Sequence, residues 1–179
     1  MTGAEKEYGT ALYQLSREEN QVEEIREGLA TACQVLGDAP EYVKLLQNPA
    51  LPKEARLELL DEAFRQAVPG FVLNFLKILC EKSALGILPG CQKAFLELYY
   101  EERNILPVTA TSAQPLSEAQ REALTERLEK ATGKSILLTE QVDKALLGGM
   151  KVEYAGKELD GSVAGRMERL RRILLDERA

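Results

Sequence analysis

The chain has 179 residues, a formal net charge of −6 and no histidine. Apolar residues make up 45% and charged residues 29%, enough for one or two domains with real cores and well-solvated surfaces. No apolar run approaches the roughly 20 residues that a bilayer crossing needs. The start, MTGAEKEYGTALYQL, lacks the basic-then-apolar pattern of a secretory signal and the Arg-rich composition of a transit peptide, so a location inside the cell is expected.

The first 105 residues read as helices only. Tyr8, Ala11, Leu12 and Leu15 fall at i, i+3, i+4 and i+7 and predict a first helix with that stripe inward and Tyr13 outside it. A second stripe runs Val22, Ile25, Leu29, Ala32, Cys33, Leu36, with Gly37 expected to stop the helix. Pro40 suits the first helical position of EYVKLLQ, and Asn48-Pro49 ends that segment. Pro52 opens a fourth helix carrying Leu57, Leu60, Phe64 and Ala67, stopped by Pro69-Gly70. Phe71, Phe75, Ile78, Leu79 and Lys82 mark a fifth. Pro89 opens a sixth, with Cys91, Phe95, Leu98 and Tyr99 on one side. Six short helices with brief connections predict a compact antiparallel bundle over residues 1–105.

The period changes at Leu106. LPVTATSA alternates and is rich in β-branched residues, so a strand is expected. Ser117 and Gln120 form a capping box for a helix with Ala123, Leu124, Leu128 and Ala131 inward, closed by Gly133. SILLTEQV reads as a second strand. Gly148-Gly149 permits a bulge or a close backbone approach before MKVEYA, a third strand. Ala155-Gly156-Lys157 is a hairpin turn into Glu158-Leu159. Asp160-Gly161-Ser162 breaks that strand, and Ser162 can cap a last helix with Val163, Met167, Leu170 and Leu174 on one face. The fold class expected is mostly α: a six-helix N-terminal bundle, then a small α+β domain over residues 106–179.

Charge divides unevenly. Residues 1–105 hold 11 basic and 17 acidic side chains, residues 106–179 hold 12 of each. An acidic first half argues against nucleic acid, which demands phosphate neutralisation. It suits a basic peptide partner or plain solubility. Cys33, Cys80 and Cys91 are odd in number and widely spaced, a poor disulfide framework and too small a ligand set for a metal. Buried thiols are expected.

Catalytic patterns are missing. No phosphate-loop or dinucleotide fingerprint occurs around Gly148-Gly149. Asp160 beside Ser162 has no histidine to serve as base. Adjacent glutamates such as Glu18-Glu19 diverge around a helix and read as solvated faces. No cofactor is expected.

Recognition is the better lead. Helix five offers Phe71, Leu73, Phe75, Leu76, Ile78 and Leu79 nearly all round. Such a helix is either fully central or lines an exposed groove, and a groove would take an amphipathic helix. Arg166, Arg169 and Arg172 recur along the last helix. They form a solvated face paired with Glu168 and Asp176, or they meet an acidic helix.

The run VDKALLGGMKVEYAGKELDGSVAGRMERLRRIL is similar to the Val-Asp-x-x-Leu-x-Gly-Gly segment, strand and Asp-Gly-Ser-Val close of the ATP synthase delta subunit family, which includes the mitochondrial oligomycin sensitivity-conferring protein. VTATSAQPLSEAQREAL resembles that family's entry into its C-terminal domain, EYGTALYQL its first helix, and LLQNPALPKEARLELL its Asn-Pro crossing. Met167 replaces a usual Leu, and Ser83-Ala84 stand where an Arg is common.

The resemblance implies a non-catalytic stator subunit that links head to peripheral stalk during proton-driven ATP synthesis. It implies a peripheral place on the cytoplasmic face of the membrane, with no direct membrane insertion and no nucleic acid. By position, Tyr8, Ala11, Leu12, Phe71, Asn74, Phe75, Ile78 and Leu79 would grip the N-terminal helix of an alpha subunit. Val163, Arg166, Met167, Leu170 and Leu174, with the 148–155 strand, would meet the b subunits. A generic helical adaptor with a helix-binding groove is the alternative.

Overall fold

The structure is a computed structural model that describes residues 2–162 together with Gly165 and Met167. It is mostly helical with a small mixed sheet. Among the described residues, six α-helices precede the sheet: α1 (Gly3–Glu18), α2 (Val22–Asp38), α3 (Pro40–Leu46), α4 (Lys53–Phe64), α5 (Gly70–Glu81) and α6 (Leu88–Glu102). A seventh, α7 (Glu118–Thr132), lies between strands β1 (Ile105–Ser112) and β2 (Ser135–Val142). Strands β3 (Met150–Tyr154) and β4 (Lys157–Asp160) complete the sheet. The chain divides into two compact units, Met1–Tyr99 and Tyr100–Ala179.

In the first unit, α5 is central. Val72, Leu76 and Leu79 are fully enclosed, because its apolar residues occupy more of its circumference than a single stripe would. Also enclosed are Ile25, Leu29 and Ala32 of α2, Leu60 and Phe64 of α4, and Cys91 and Phe95 of α6. Asp61 and Lys77 tie α4 to α5 at 2.7 Å. Tyr42 Oη donates to the Leu59 carbonyl at 2.8 Å, holding α3 against α4. Tyr99 Oη donates to Glu23 at 2.9 Å, while Arg26 lies 5.5 Å from the centre of the Tyr99 ring.

Several local expectations shift. The inward face of α1 is Gly9, Leu12, Tyr13 and Ser16, so the helix is turned by roughly one residue, about 100°, from the expected stripe. Tyr13 is therefore core, edge-on to Phe95 with ring centres 5.1 Å apart. The cause is size. A Cβ on Gly9 would lie 2.5 Å from the Cys91 carbonyl oxygen, so only glycine lets the α6 backbone come this close. Ser16 is enclosed because its hydroxyl donates to the Tyr13 carbonyl at 2.7 Å. Gly37 does not stop α2, which runs on to Asp38 with Pro40 beyond. Helix α4 ends at Phe64, leaving Ala67 exposed and Val68 in the core. A 3₁₀ turn at Leu85–Ile87 precedes α6.

In the second unit the strand order is β2-β1-β3-β4, with β1 parallel to β2 and antiparallel to β3. The register sets Val108 beside Leu138 and Ala110 beside Val152. One sheet face thus gathers Leu106, Val108 and Val152, covered by Leu124 and Leu128 of α7. Ala123 and Ala131 are exposed rather than inward. The Ser117–Gln120 capping box forms, and Gly133 ends the helix at a φ of 68°. Residues Ala155 and Gly156 turn β3 into β4 with both φ angles positive, the two-residue turn whose twist matches a hairpin.

Candidate functional site

The candidate docking surface is built on α1 and α5. The rotation of α1 leaves Tyr8 and Leu15 half-buried and Ala11 exposed, a continuous apolar ridge at i, i+3 and i+7. Leu12, expected on the same surface, is only 4% exposed and forms its floor. On α5, Phe71 is half-buried, Asn74 exposed and Ile78 46% exposed. Phe75 is 6% exposed, and Leu79 is wholly enclosed beneath it. Tyr8 and Phe75 meet edge to face with ring centres 6.3 Å apart, which brings the α1 and α5 residues into one surface. Of the eight α1/α5 residues singled out, Tyr8, Ala11, Phe71, Asn74 and Ile78 remain reachable. Leu12, Phe75 and Leu79 support them from inside.

Leu15 extends the α1 ridge by a turn and belongs with this group, although the resemblance did not select it. Its signal was present, since it shares the stripe of Tyr8 and Ala11. Gly9 gave no such signal, because a glycine within a helix says nothing about which neighbour will approach.

Of the residues expected to meet a stalk, Met167 is exposed, while Val163, Arg166, Leu170 and Leu174 lie outside the described residues. The structure does show how the chain is led towards them. A Cβ on Gly149, whose φ is 80°, would stand 2.6 Å from the Gly161 carbonyl oxygen, so Gly149 of the pair serves the close backbone approach. The Gly161 amide donates to the Met150 carbonyl at 2.9 Å. The Ser162 amide donates to Asp160 Oδ1 at 2.8 Å, and the Gly165 amide donates to Ser162 Oγ at 3.0 Å. Asp160 and Ser162 are thus each spent on a local backbone contact.

Electrostatics elsewhere are structural. Arg121 pairs with Glu140 and holds that carboxyl below the usual carboxylate range, first through the hydrogen bond between them. Burial pushes the thiols of Cys33 and Cys91 up to about 11. Among the described residues, no group of three His, Cys, Asp or Glu is placed to hold a metal ion. Among the same residues, no helix is long and apolar enough to cross a membrane.

An apolar ridge contributed by two helices stands on an otherwise charged helical unit, and this is the candidate docking surface. The ATP synthase delta (OSCP) subunit family matches residues 4–174, and the chain belongs to that family. It is 33% identical over 171 residues to the ATP synthase subunit delta of Geobacillus sp. (strain WCH70), covering 95% of this chain and 96% of that one. It is 34% identical over 164 residues to the subunit delta of Prochlorococcus marinus (strain MIT 9312), covering 91% of each. Its fold is similar to a chain in the cryo-EM structure of the Toxoplasma gondii mitochondrial ATP synthase hexamer. That match has a TM-score of 0.72 and 26% identity, over 97% of this chain and 98% of that chain.

Proposed function

We propose that this chain is a non-catalytic stator component of a rotary ATP synthase, tying the catalytic head to the peripheral stalk while ATP is made. In this reading its first six helices act as one bundle that holds the N-terminal helix of an alpha subunit between α1 and α5. Its second unit meets the b subunits, and the chain sits peripherally at the cytoplasmic face of the membrane.

The observation that carries the reading is the turned α1. The stripe Tyr8, Ala11, Leu15 is the most apolar row of the helix, yet it lies at the edge of the chain's own core, with Tyr8 and Leu15 half-buried, Ala11 exposed and Tyr8 against Phe75. Covering it with a helix removes apolar surface from water, worth about 25 cal/mol per Å². Such a contact is less sensitive to salt than exposed ion pairs. Family membership across nearly the whole chain supports the same reading.

The mechanics follow from having two docking faces. A head driven by a turning shaft must be held still, and a connector with one seat on the head and another on the stalk does this without breaking a bond. Once one seat is occupied, the second contact is intramolecular, so moderate affinities give a durable tether.

Ile78→Asp tests it. At 46% exposure Ile78 can accept a charge without unfolding α5. Titration calorimetry with a peptide of the alpha-subunit N-terminus should show binding to the wild-type chain and loss of at least about tenfold with the variant, at unchanged circular dichroism. Equal binding by both would defeat the assignment.

A further inference from the structure

We infer that the helix seated between α1 and α5 carries cations along the side that faces α1. The inference rests on the docking reading above and adds the chemistry of the partner.

The ridge of α1 has an acidic outer wall. Glu7 and Glu18 stand four residues before and seven residues after Ala11, and both are exposed. At 100° per residue they fall within about 40° of Ala11, so they border the ridge along its length. The cations of α1 lie elsewhere: Lys6 and Arg17 fall roughly 120° or more from Ala11 around the same helix. Glu18 also sits in the last turn of α1, where the unpaired carbonyls add partial negative charge. A cation opposite Glu18 therefore meets two negative sources.

The α5 wall differs. Asn74 is exposed and neutral, and Glu81 is engaged by Lys53 at 3.2 Å. Lys82 follows Phe71, Phe75 and Ile78 at the end of their row and is exposed. One wall of the surface is negative, and the other is neutral until it ends in a cation. An amphipathic helix with Lys or Arg on one flank satisfies the first wall. A helix with carboxylates on that flank is repelled by it.

The test uses the purified full-length chain and two synthetic peptides covering the N-terminal segment of the alpha subunit encoded with it. One is unaltered; in the other every Lys and Arg is replaced by Gln. At low salt the unaltered peptide should bind about fivefold tighter, and the difference should shrink at about 0.5 M salt. The double variant Glu7→Gln, Glu18→Gln should bind both peptides alike, and Lys82→Gln should not weaken the unaltered one. Equal affinity of the two peptides for the wild-type chain, or an alpha segment with no Lys or Arg, overturns the charge assignment and leaves the docking surface standing. Failure of both peptides to bind overturns the docking reading and this inference together.

Discussion

Gly9 and Ile78 show how much a single position decides in the first unit. A Cβ at position 9 would meet the Cys91 carbonyl oxygen at 2.5 Å and the Ala94 Cβ at 2.6 Å. One contact is with backbone, so α1 and α6 must separate. Gly9→Ala should lower stability by about 1–3 kcal/mol in urea unfolding, against the smaller gain alanine brings to a helix interior. An unchanged midpoint would mean that the crossing is looser than described. Phe75 and Ile78 differ in the opposite sense. Aspartate at the enclosed Phe75 would bury a charge and damage the fold, whereas Ile78 reports on the surface alone.

The thiols give a pH dependence. Burial raises the folded values of Cys33 and Cys91 to about 11, against about 8.5 for a free thiol. The unfolded chain thus loses these protons first as pH rises. Their contribution to stability is complete below about pH 8.5 and is lost as pH climbs towards 11. Cys91→Ala should flatten that alkaline decline in denaturant titrations. At pH 8 the native chain should react with a thiol reagent far more slowly than the unfolded chain. Equal rates would contradict the burial of Cys91.

At the scale of elements, α7 depends most on its ends. None of its residues is fully buried; Leu124 and Leu128 pack it on the sheet, Arg121 pairs with Glu140 of β2, and the Ser117–Gln120 box and the Gly133 turn close its ends. Ser117→Ala should cost about 1 kcal/mol, read as faster amide exchange confined to the first turns of α7. Exchange unchanged there would sink the argument. These caps were legible in the sequence because a capping box and a left-handed glycine act within a few residues. The same holds for the strands: LPVTATSA and SILLTEQV carry the alternation that β1 and β2 display.

What could not be read depended on neighbours distant in sequence. The stripe of α1 was visible, but which face met the core was not, since that was set by how closely α6 approaches Gly9. The end of α2 was misplaced for a related reason. A glycine can close a helix, but here Pro40 and the start of α3 set the boundary beyond it. On α5 the central-helix reading holds for one side of the helix, and the groove stays a proposal. Leu76 and Leu79 are enclosed, while Ile78 and Asn74 remain in solvent. Periodicity counts apolar faces; only packing says which of them is covered.

For the whole molecule, the two-unit division gives the proposed tether its logic. A connector that holds a head to a stalk needs separate seats, so damage at one should leave the other working. Ile78→Asp should cost the head contact and spare the stalk contact. The most direct test is sedimentation of the purified catalytic head and a soluble b-subunit segment, with and without this chain. The account expects the two to travel as one complex only when the wild-type chain is present, and to separate with the Ile78→Asp variant. Head and stalk that sediment together equally well without the chain would contradict it.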